Sequence, residues 1–198
     1  MAVLLPLVYD AVFSRVYDSP RSVVFGMWTS PKHFAQWWGP KDFANTICSI
    51  DRHRGTWRTV MRSPEGVDYP LKGLYREIVW NELIVMTYDV SEYPAGWCDL
   101  LEHRRGAAPG KPATELNLAV TFEHQDGKTK LAVRVEFPTA ADREAHMKMG
   151  MDASWNQSLD RLADTVANRN RSNREDFIER TAVRTNIMGV PPALPGWQ

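Results

Sequence analysis

Strand-like segments joined by very short turns fill the middle of this sequence and constrain its fold more than any other feature. From Phe43 to Val90, apolar and polar residues alternate with a period of two, and the chain turns at RGTW, SPEG and WNE. The segments 115–124 and 128–137 flank a DG pair, which is among the strongest short hairpin signals. Because turns this short join only antiparallel neighbours, the sequence predicts an antiparallel meander.

Helical signals precede these strands. A first strand at 12–18 is followed by Ser19 and Pro20, which predict a helix capped by the serine side chain. An SP pair then begins a second short helix, and the GP pair at Gly39 ends it. Two short helices are therefore expected between the first strand and the meander.

A longer helical signal follows the last strand. Thr139 and Asp142 form a pair resembling a capping box. Apolar residues then recur at steps of three and four, which predicts a single long amphipathic helix packed across the sheet: Met147, Met151, Trp155, Leu159, Leu162 and Val166. This order of elements is that of a layered α+β domain with a curved sheet of about seven strands.

The charges of the chain balance, since 24 Lys and Arg residues stand against 24 Asp and Glu residues. Such a chain lacks the broad positive field that collects nucleic acid or an anionic membrane, so neither partner is expected.

Cys48 and Cys98 show no metal-ligand spacing and are interpreted as reduced thiols. The apolar start is interrupted by Pro6 and is too short to span a membrane. We therefore expect a cytoplasmic protein.

One domain with two extensions is expected. The domain covers residues 13–168, residues 1–12 precede it, and the charged, asparagine-rich segment 169–198 follows it. The stretch 91–113 is rich in Pro, Gly and Ala and exceeds the usual connection between strands, so it is expected to be functional or mobile. A homodimer is compatible with this organisation, with the tail around Pro195–Trp197 as a candidate contact.

No constellation of residues in the sequence fixes a reaction. The five histidines are scattered and show no HExxH or other zinc spacing, so no metal site is expected. A G-x-S-x-G motif is absent, as are the Walker and dinucleotide glycine motifs. The sequence therefore predicts neither nucleophilic catalysis nor a cofactor.

Four stretches of the sequence are distinctive: RVYDSPRSVVFGMWTSPKHFAQWWGP, IDRHRGTWRTVM, GLYREI and GMDASWNQSLDRLADTVA. They resemble the bacterial branch of the START/SRPBCC superfamily that is similar to the activator of the heat-shock ATPase chaperone and related to polyketide cyclases. The resemblance spans roughly 13–167. It implies a helix-grip fold, in which a curved antiparallel sheet wraps around a long C-terminal helix and leaves a cavity between them. Members include small-molecule binders, polyketide cyclases, lipid carriers and chaperone activators, so the fold alone does not fix the function.

The implied cavity makes several apolar and aromatic residues candidates for a ligand site. Adjacent residues of a helix point about 100° apart, so Trp37 is expected in the core and Trp38 at the cavity mouth. Members often carry glycine where this chain has Ser154, whose hydroxyl is expected to face the sheet or a ligand. With ordinary core packing as the alternative for each, the candidate ligand-binding residues are Trp38, Phe43, Trp57, Met61, Tyr75, Met86, Tyr88, Met151 and Trp155.

Glu77 is the candidate for catalysis. Strand alternation predicts that residues 73, 75 and 77 share one face, so that Glu77 would face the cavity and act as a general acid or base. The leading interpretation is nevertheless a protein that binds an apolar or aromatic small molecule by enclosure, without bond chemistry. One alternative is a polyketide-cyclase-like enzyme that uses Glu77, Tyr75 or Tyr88 for proton transfer. The other is an interaction protein like the chaperone activator, which would have a filled interior and an exposed apolar patch.

Overall fold

The computed structural model of the protein describes residues 9–51 and 53–187. One compact unit of the chain ends at Val166, and a second begins at Ala167. The elements in chain order are β1 (Tyr9–Tyr17), α1 (Arg21–Thr29), α2 (Pro31–Trp37), β2 (Ala44–Asp51), β3 (Thr56–Arg62), β4 (Asp68–Val79), β5 (Leu83–Asp89), α3 (Ala95–Arg105), β6 (Glu115–Gln125), β7 (Lys128–Phe137), α4 (Ala140–Lys148) and α5 (Met151–Ile187).

The strands form one antiparallel sheet in the order β1-β7-β6-β5-β4-β3-β2. β6 and β7 meet at the DG turn, and β1 pairs with β7 along its whole length. Alternate residues of β6 and β7, such as Leu118 and Val133, are buried, while their neighbours are half-buried or exposed. One face of the sheet is therefore covered. The predicted α+β class, the antiparallel meander and the number of strands are confirmed.

The beginning of α5 packs against the covered face of the sheet. Trp155 and Leu159 are buried in the same core cluster as the inward-facing strand residues. The ring of Phe13 stacks on Trp155 with centroids 5.8 Å apart, and the Tyr17 hydroxyl donates to the Leu159 carbonyl oxygen at 3.1 Å. Burial of an indole of this size contributes a few kcal/mol. These contacts hold the sheet around the helix, so the predicted helix-grip fold is confirmed.

The predicted single long helix is in fact two helices. α4 ends at Lys148 and α5 begins at Met151. Gly150, between them, has a φ of 88°, which breaks the regular helical backbone. The prediction was wrong because the apolar periodicity continues across the break. The predicted cap is confirmed, since the Asp142 backbone N–H donates to Thr139 Oγ1 at 3.1 Å.

The N-terminal elements also differ from the prediction. β1 begins at Tyr9, so residues 9–12, which the sequence assigned to an extension, belong to the sheet. α1 begins at Arg21 with Pro20 as its N-cap, so the predicted cap by Ser19 is wrong. The carbonyl of Ser19 instead accepts a hydrogen bond of 2.7 Å from Thr129 Oγ1 on β7.

The stretch 91–113, left open by the sequence, contains α3 and is organised around Arg105. The guanidinium of Arg105 and the carboxylate of Asp142 on α4 are 2.7 Å apart, and their side chains are only 6% and 3% exposed. Arg105 also donates to the carbonyl oxygens of the loop that follows it, at Ala108, Pro109 and Gly110. The buried ion pair therefore ties the end of α3 to α4.

The C-terminal part of the chain is more helical than its weak pattern indicated, because α5 continues to Ile187. The tail around Pro195–Trp197, expected as a dimer contact, lies outside the described residues. None of the described helices is both long enough and apolar enough to cross a membrane.

Candidate functional site

A pocket of about 320 Å³, partly open to solvent, lies where the end of α2, strands β3 to β5, α3 and the start of α5 converge. The segment after α2 contributes Trp38 and Phe43, and α3 contributes Trp97. Met149 and Gly150, at the break between α4 and α5, also line it. The break in the C-terminal helix is therefore part of the pocket wall.

Most of the residues predicted to bind a ligand lie on this pocket, but three do not. Trp57 and Met86 are 3% and 0% exposed and are packed in the core. The Trp57 indole nitrogen donates to the Thr87 carbonyl oxygen at 3.1 Å, and the Tyr75 hydroxyl donates to the Trp28 carbonyl oxygen at 2.7 Å. Of these three, Trp57 packs on the lining residue Trp38, with ring centroids 5.4 Å apart. The predicted residues that line the pocket are Trp38, Phe43, Met61, Tyr88, Met151 and Trp155.

Glu77 does not face the pocket, so the prediction that residues 75 and 77 share one face is wrong. A β-bulge lies between them: Tyr75 pairs with Met86, and Glu77 pairs with Val85, the very next residue of β5. The extra residue shifts the alternation of side chains by one position. Glu77 is consequently exposed to solvent. Of the three groups considered for proton transfer, Tyr88 is the one on the pocket wall.

The two adjacent tryptophans at the end of α2 have different surroundings. Trp37 is fully buried, and its indole nitrogen donates to the Met27 carbonyl oxygen at 3.0 Å. Trp38 packs edge-to-face on Trp155 with centroids 5.4 Å apart, and it lines the pocket. The expectation that Trp37 belongs to the core is therefore confirmed. Trp38 thus lies between the end of α2 and Trp155 of α5 on the pocket wall.

Arg161 of α5 holds the chain that follows Trp37 in place. Its guanidinium donates to the carbonyl oxygens of Gly39 at 3.0 Å and Pro40 at 2.7 Å. It also reaches the carbonyl of Gln36, inside the last turn of α2, at 3.2 Å. The Gln36 carbonyl is among those that a helix end leaves without an intrahelical partner. Nothing local in the sequence indicates this contact, because the partners are more than a hundred residues apart.

A run of aromatic rings forms one wall of the pocket, and two of its members, Tyr93 and Trp97, were not predicted from the sequence. Tyr69 contacts Phe43 with centroids 5.7 Å apart, and it contacts Tyr93 edge-to-face at 5.2 Å. Tyr93 in turn contacts Trp97 at 4.9 Å. Tyr93 and Trp97 are four residues apart around Pro94, a spacing that places side chains together at a helix start and was the available signal.

Tyr88 and Tyr93 place a pair of hydroxyls at the pocket. The two hydroxyls are hydrogen-bonded to each other, and burial raises the pKa of Tyr88 to about 12 and that of Tyr93 well above its usual value. Both side chains keep a partly accessible surface and line the pocket. Both phenols are therefore protonated at neutral pH, so each can donate a hydrogen bond.

His146 contributes a neutral imidazole to the same pocket. The side chain is 2% exposed, and burial lowers its pKa from the usual value near 6.5. Because the Ala113 carbonyl oxygen can only accept, Nε2 carries the proton in their contact of 2.9 Å. The residues described around the pocket include no Asp, Glu, Lys or Arg. At neutral pH the lining is therefore uncharged.

The state of His146 predicts how stability depends on pH. Because the folded pKa lies below that of the unfolded chain, the unfolded state binds a proton more readily as the pH falls below about 6.5. We expect the free energy of unfolding to be intact above that pH and to decrease as the pH falls toward the folded pKa. Urea unfolding of wild type and a His146→Gln variant between pH 7.5 and 5 measures this dependence. The free energy of unfolding of the variant should change less steeply with pH than that of wild type. His124→Gln, at an exposed position, is the control and should keep the wild-type slope; equal slopes in all three proteins would contradict the prediction.

The fold defines a helix-grip protein, and its partly open pocket is lined largely by aromatic side chains. A family model described as "Activator of Hsp90 ATPase homolog 1-like protein" matches residues 18–167. The chain therefore belongs to this AHSA1-like family, of the SRPBCC type, as the sequence stretches around the two tryptophans predicted. A comparison with curated proteins found no match.

Solved structures of distant relatives share the fold. A protein from Nitrosomonas europaea is 19% identical with a TM-score of 0.65, over 82% of this chain and 96% of that one. An AHSA1 protein from Silicibacter pomeroyi is 19% identical with a TM-score of 0.60, over 81% of this chain and 99% of that one. A protein from Arthrobacter aurescens is 14% identical with a TM-score of 0.66, over 84% and 93% of the two chains. Similarity at this level supports the fold and not a shared ligand.

Proposed function

We propose that this protein binds a small, mostly apolar aromatic molecule in the pocket between the sheet and α5. The observation that carries the proposal is a pocket of about 320 Å³ lined mainly by aromatic and methionine side chains. Aromatic residues of the core border this partly open space, whereas protein interiors are otherwise close-packed. Ligand pockets are on the order of 300–1,000 Å³ and are lined in the same way.

Binding would be driven by burial of the ligand's apolar surface. Removal of apolar surface from water contributes about 25 cal/mol per Å², and offset or edge-to-face ring contacts add roughly 0.5–1.5 kcal/mol each. Trp38, Tyr93 and Trp97 offer such contacts from two sides of the pocket. The proposal includes a cytoplasmic location, which the unpaired thiols of Cys48 and Cys98 support.

The pocket supports the two alternative functions less well than it supports ligand binding. The enzymatic alternative retains Tyr88, because Tyr75 and Glu77 lie outside the pocket lining. The interaction alternative calls for a filled interior, whereas the aromatic core of this domain borders an open pocket. We therefore propose enclosure of a ligand as the function.

A pocket-filling variant tests the proposal. Ser154 lies on the pocket wall, so a Ser154→Leu change should fill the space and abolish binding. The matched control is Ser14→Leu, on an exposed position of β1, which should bind as wild type does. Native mass spectrometry of the purified protein should show a retained molecule in wild type and Ser14→Leu, and its loss in Ser154→Leu.

A thermal-shift panel of apolar aromatic compounds provides the second measurement. We expect at least one compound to raise the melting temperature of wild type and Ser14→Leu and to leave Ser154→Leu unchanged. The absence of both a retained molecule and a shift across the panel would overturn the proposed function. Shifts of equal size in all three proteins would place binding elsewhere and would overturn it as well.

A further inference from the structure

The polar groups that face the pocket are all neutral. Besides the tryptophans, the lining residues with polar side chains are three tyrosines, two serines, Gln157 and His146. A carboxylate or an ammonium group that entered such a site would lose its hydration and meet no opposite charge, which is costly. The described lining therefore favours neutral ligands over charged ones.

The two arginines packed beside this region are already engaged elsewhere. The guanidinium of Arg161 donates to the carbonyl oxygens of Gly39 and Pro40, two residues of the pocket wall. That of Arg105 is paired with Asp142 and surrounded by loop carbonyls. Neither side chain lines the pocket. An anionic ligand could recruit either one only by breaking these hydrogen bonds.

The hydroxyls of Tyr88 and Tyr93 provide a donor for a neutral ligand. Two phenols carry two hydroxyl protons, and their mutual hydrogen bond uses one of them. In the described part of the chain, no other group accepts the second proton, which leaves one O–H at the pocket. Ser154 adds a hydroxyl to the wall across from the strands. A ligand that fits this site therefore carries an atom that accepts a hydrogen bond.

The volume of the pocket indicates the size of the part of a ligand that it can enclose. A water molecule in the liquid takes about 30 Å³, so 320 Å³ corresponds to roughly ten waters. An organic ligand packs somewhat more tightly, so the space suits on the order of ten to twenty non-hydrogen atoms. A fused two-ring aromatic system with one small substituent has this size.

We propose, on the basis of the proposed function, that the pocket selects uncharged aromatic molecules of about two rings that carry a carbonyl or similar acceptor oxygen. The Tyr88–Tyr93 hydroxyl pair donates to that oxygen, while the rings pack among Trp38, Trp97 and Trp155. Aromatic carboxylates and ammonium compounds of the same shape are excluded by their charge.

Four naphthalene derivatives of similar shape test this inference: 2-acetylnaphthalene, naphthalene, 2-naphthoate and 2-naphthylmethylammonium. We expect 2-acetylnaphthalene to bind the full-length protein most tightly by tryptophan fluorescence or calorimetry at pH 7.5. Affinity for the carboxylate and the ammonium compound should be lower by at least about a hundredfold, because each would bury an unpaired charge. A Tyr88→Phe variant should lose about tenfold in affinity for the ketone and little for naphthalene, since it removes one hydrogen bond.

The control variant is Tyr9→Phe, which removes a phenolic hydroxyl outside the pocket lining and should leave all four affinities unchanged. Equal or tighter binding of the carboxylate or the ammonium compound would overturn the inference and leave the proposed function standing. Equal loss of ketone and naphthalene binding in Tyr88→Phe would overturn the role of the hydroxyl pair. Failure of all four probes, together with an unresponsive compound panel, would overturn the proposed function along with it.

Discussion

Replacement of Gly73 by alanine is expected to destabilise the domain by about 3 kcal/mol. Gly73 lies on β4 opposite Trp57. A Cβ atom at this position would lie well inside van der Waals contact of the Thr87 carbonyl oxygen and 2.5 Å from the Trp57 indole nitrogen. The methyl group would thus occupy the space through which Trp57 donates to Thr87. Both neighbours are fixed, one by the sheet backbone and the other by a fully packed core, so relief requires the strands to separate.

A second glycine provides a matched control for this prediction. Gly26 is inside α1, and a Cβ there would meet nothing within 4 Å. Gly26→Ala should therefore stabilise the protein by about 0.5–1 kcal/mol through helix propensity and a less flexible unfolded chain. Urea unfolding of the two variants and wild type measures both effects. A Gly73→Ala protein as stable as wild type would show that the strands at Thr87 and Trp57 yield easily.

The second large effect is expected at Asp142. Asp142→Ala should cost about 3–5 kcal/mol, because it leaves the guanidinium of Arg105 buried without an opposite charge. The substitution also removes the acceptor for the Ala113 backbone N–H at 3.1 Å. Besides the loss in the free energy of unfolding, we expect faster amide hydrogen exchange in α3, since the ion pair ties this helix to α4.

An exposed ion pair provides the comparison for Asp142. Glu123 and Lys130 are 3.1 Å apart on neighbouring strands, with side chains 61% and 49% exposed. Glu123→Ala should cost no more than about 1 kcal/mol, as is typical of surface pairs. If the two substitutions cost the same, burial adds nothing to the Arg105–Asp142 pair. If exchange in α3 does not change, the pair does not hold that helix.

Local sequence signals accounted for much of this fold. The DG turn, the Thr139–Asp142 cap and the alternation along β6 and β7 each depend on residues close together in the chain. Because their causes are local, they can be read before any tertiary structure is known. The pairings of β2 with β3, β3 with β4, β4 with β5 and β6 with β7 follow, since short turns leave little freedom in how neighbouring strands pair.

The features that were missed leave little mark on the local pattern of apolar residues. The bulge after Tyr75 adds one residue to a strand without disturbing its composition, yet it turns Glu77 away from the pocket. The helix break at Gly150 interrupts a periodicity that continues on both sides. α3 begins in a stretch rich in Pro, Gly and Ala and is held by Asp142, a residue 37 positions from Arg105.

The candidate site was predictable only in part, for a similar reason. Trp38 and Trp155 stood out because tryptophans are rare and their positions follow helix geometry. Tyr93 and Trp97 belong to a segment with no clear pattern, and they reach the pocket only once α3 docks. Whether an aromatic side chain lines a cavity or fills the core behind it, as Trp57 does, depends on packing in three dimensions.

The pairing of β1 with β7 has a consequence for synthesis of the protein on the ribosome. About 110 residues separate the end of β1 from the start of its partner strand. At roughly 5–20 residues per second, β1 waits on the order of ten seconds for that strand. During this interval Val12 and Val16, which stay exposed in the finished sheet, stand beside an unpaired strand edge. The nascent chain is thus most open to chaperone binding or aggregation before β7 emerges.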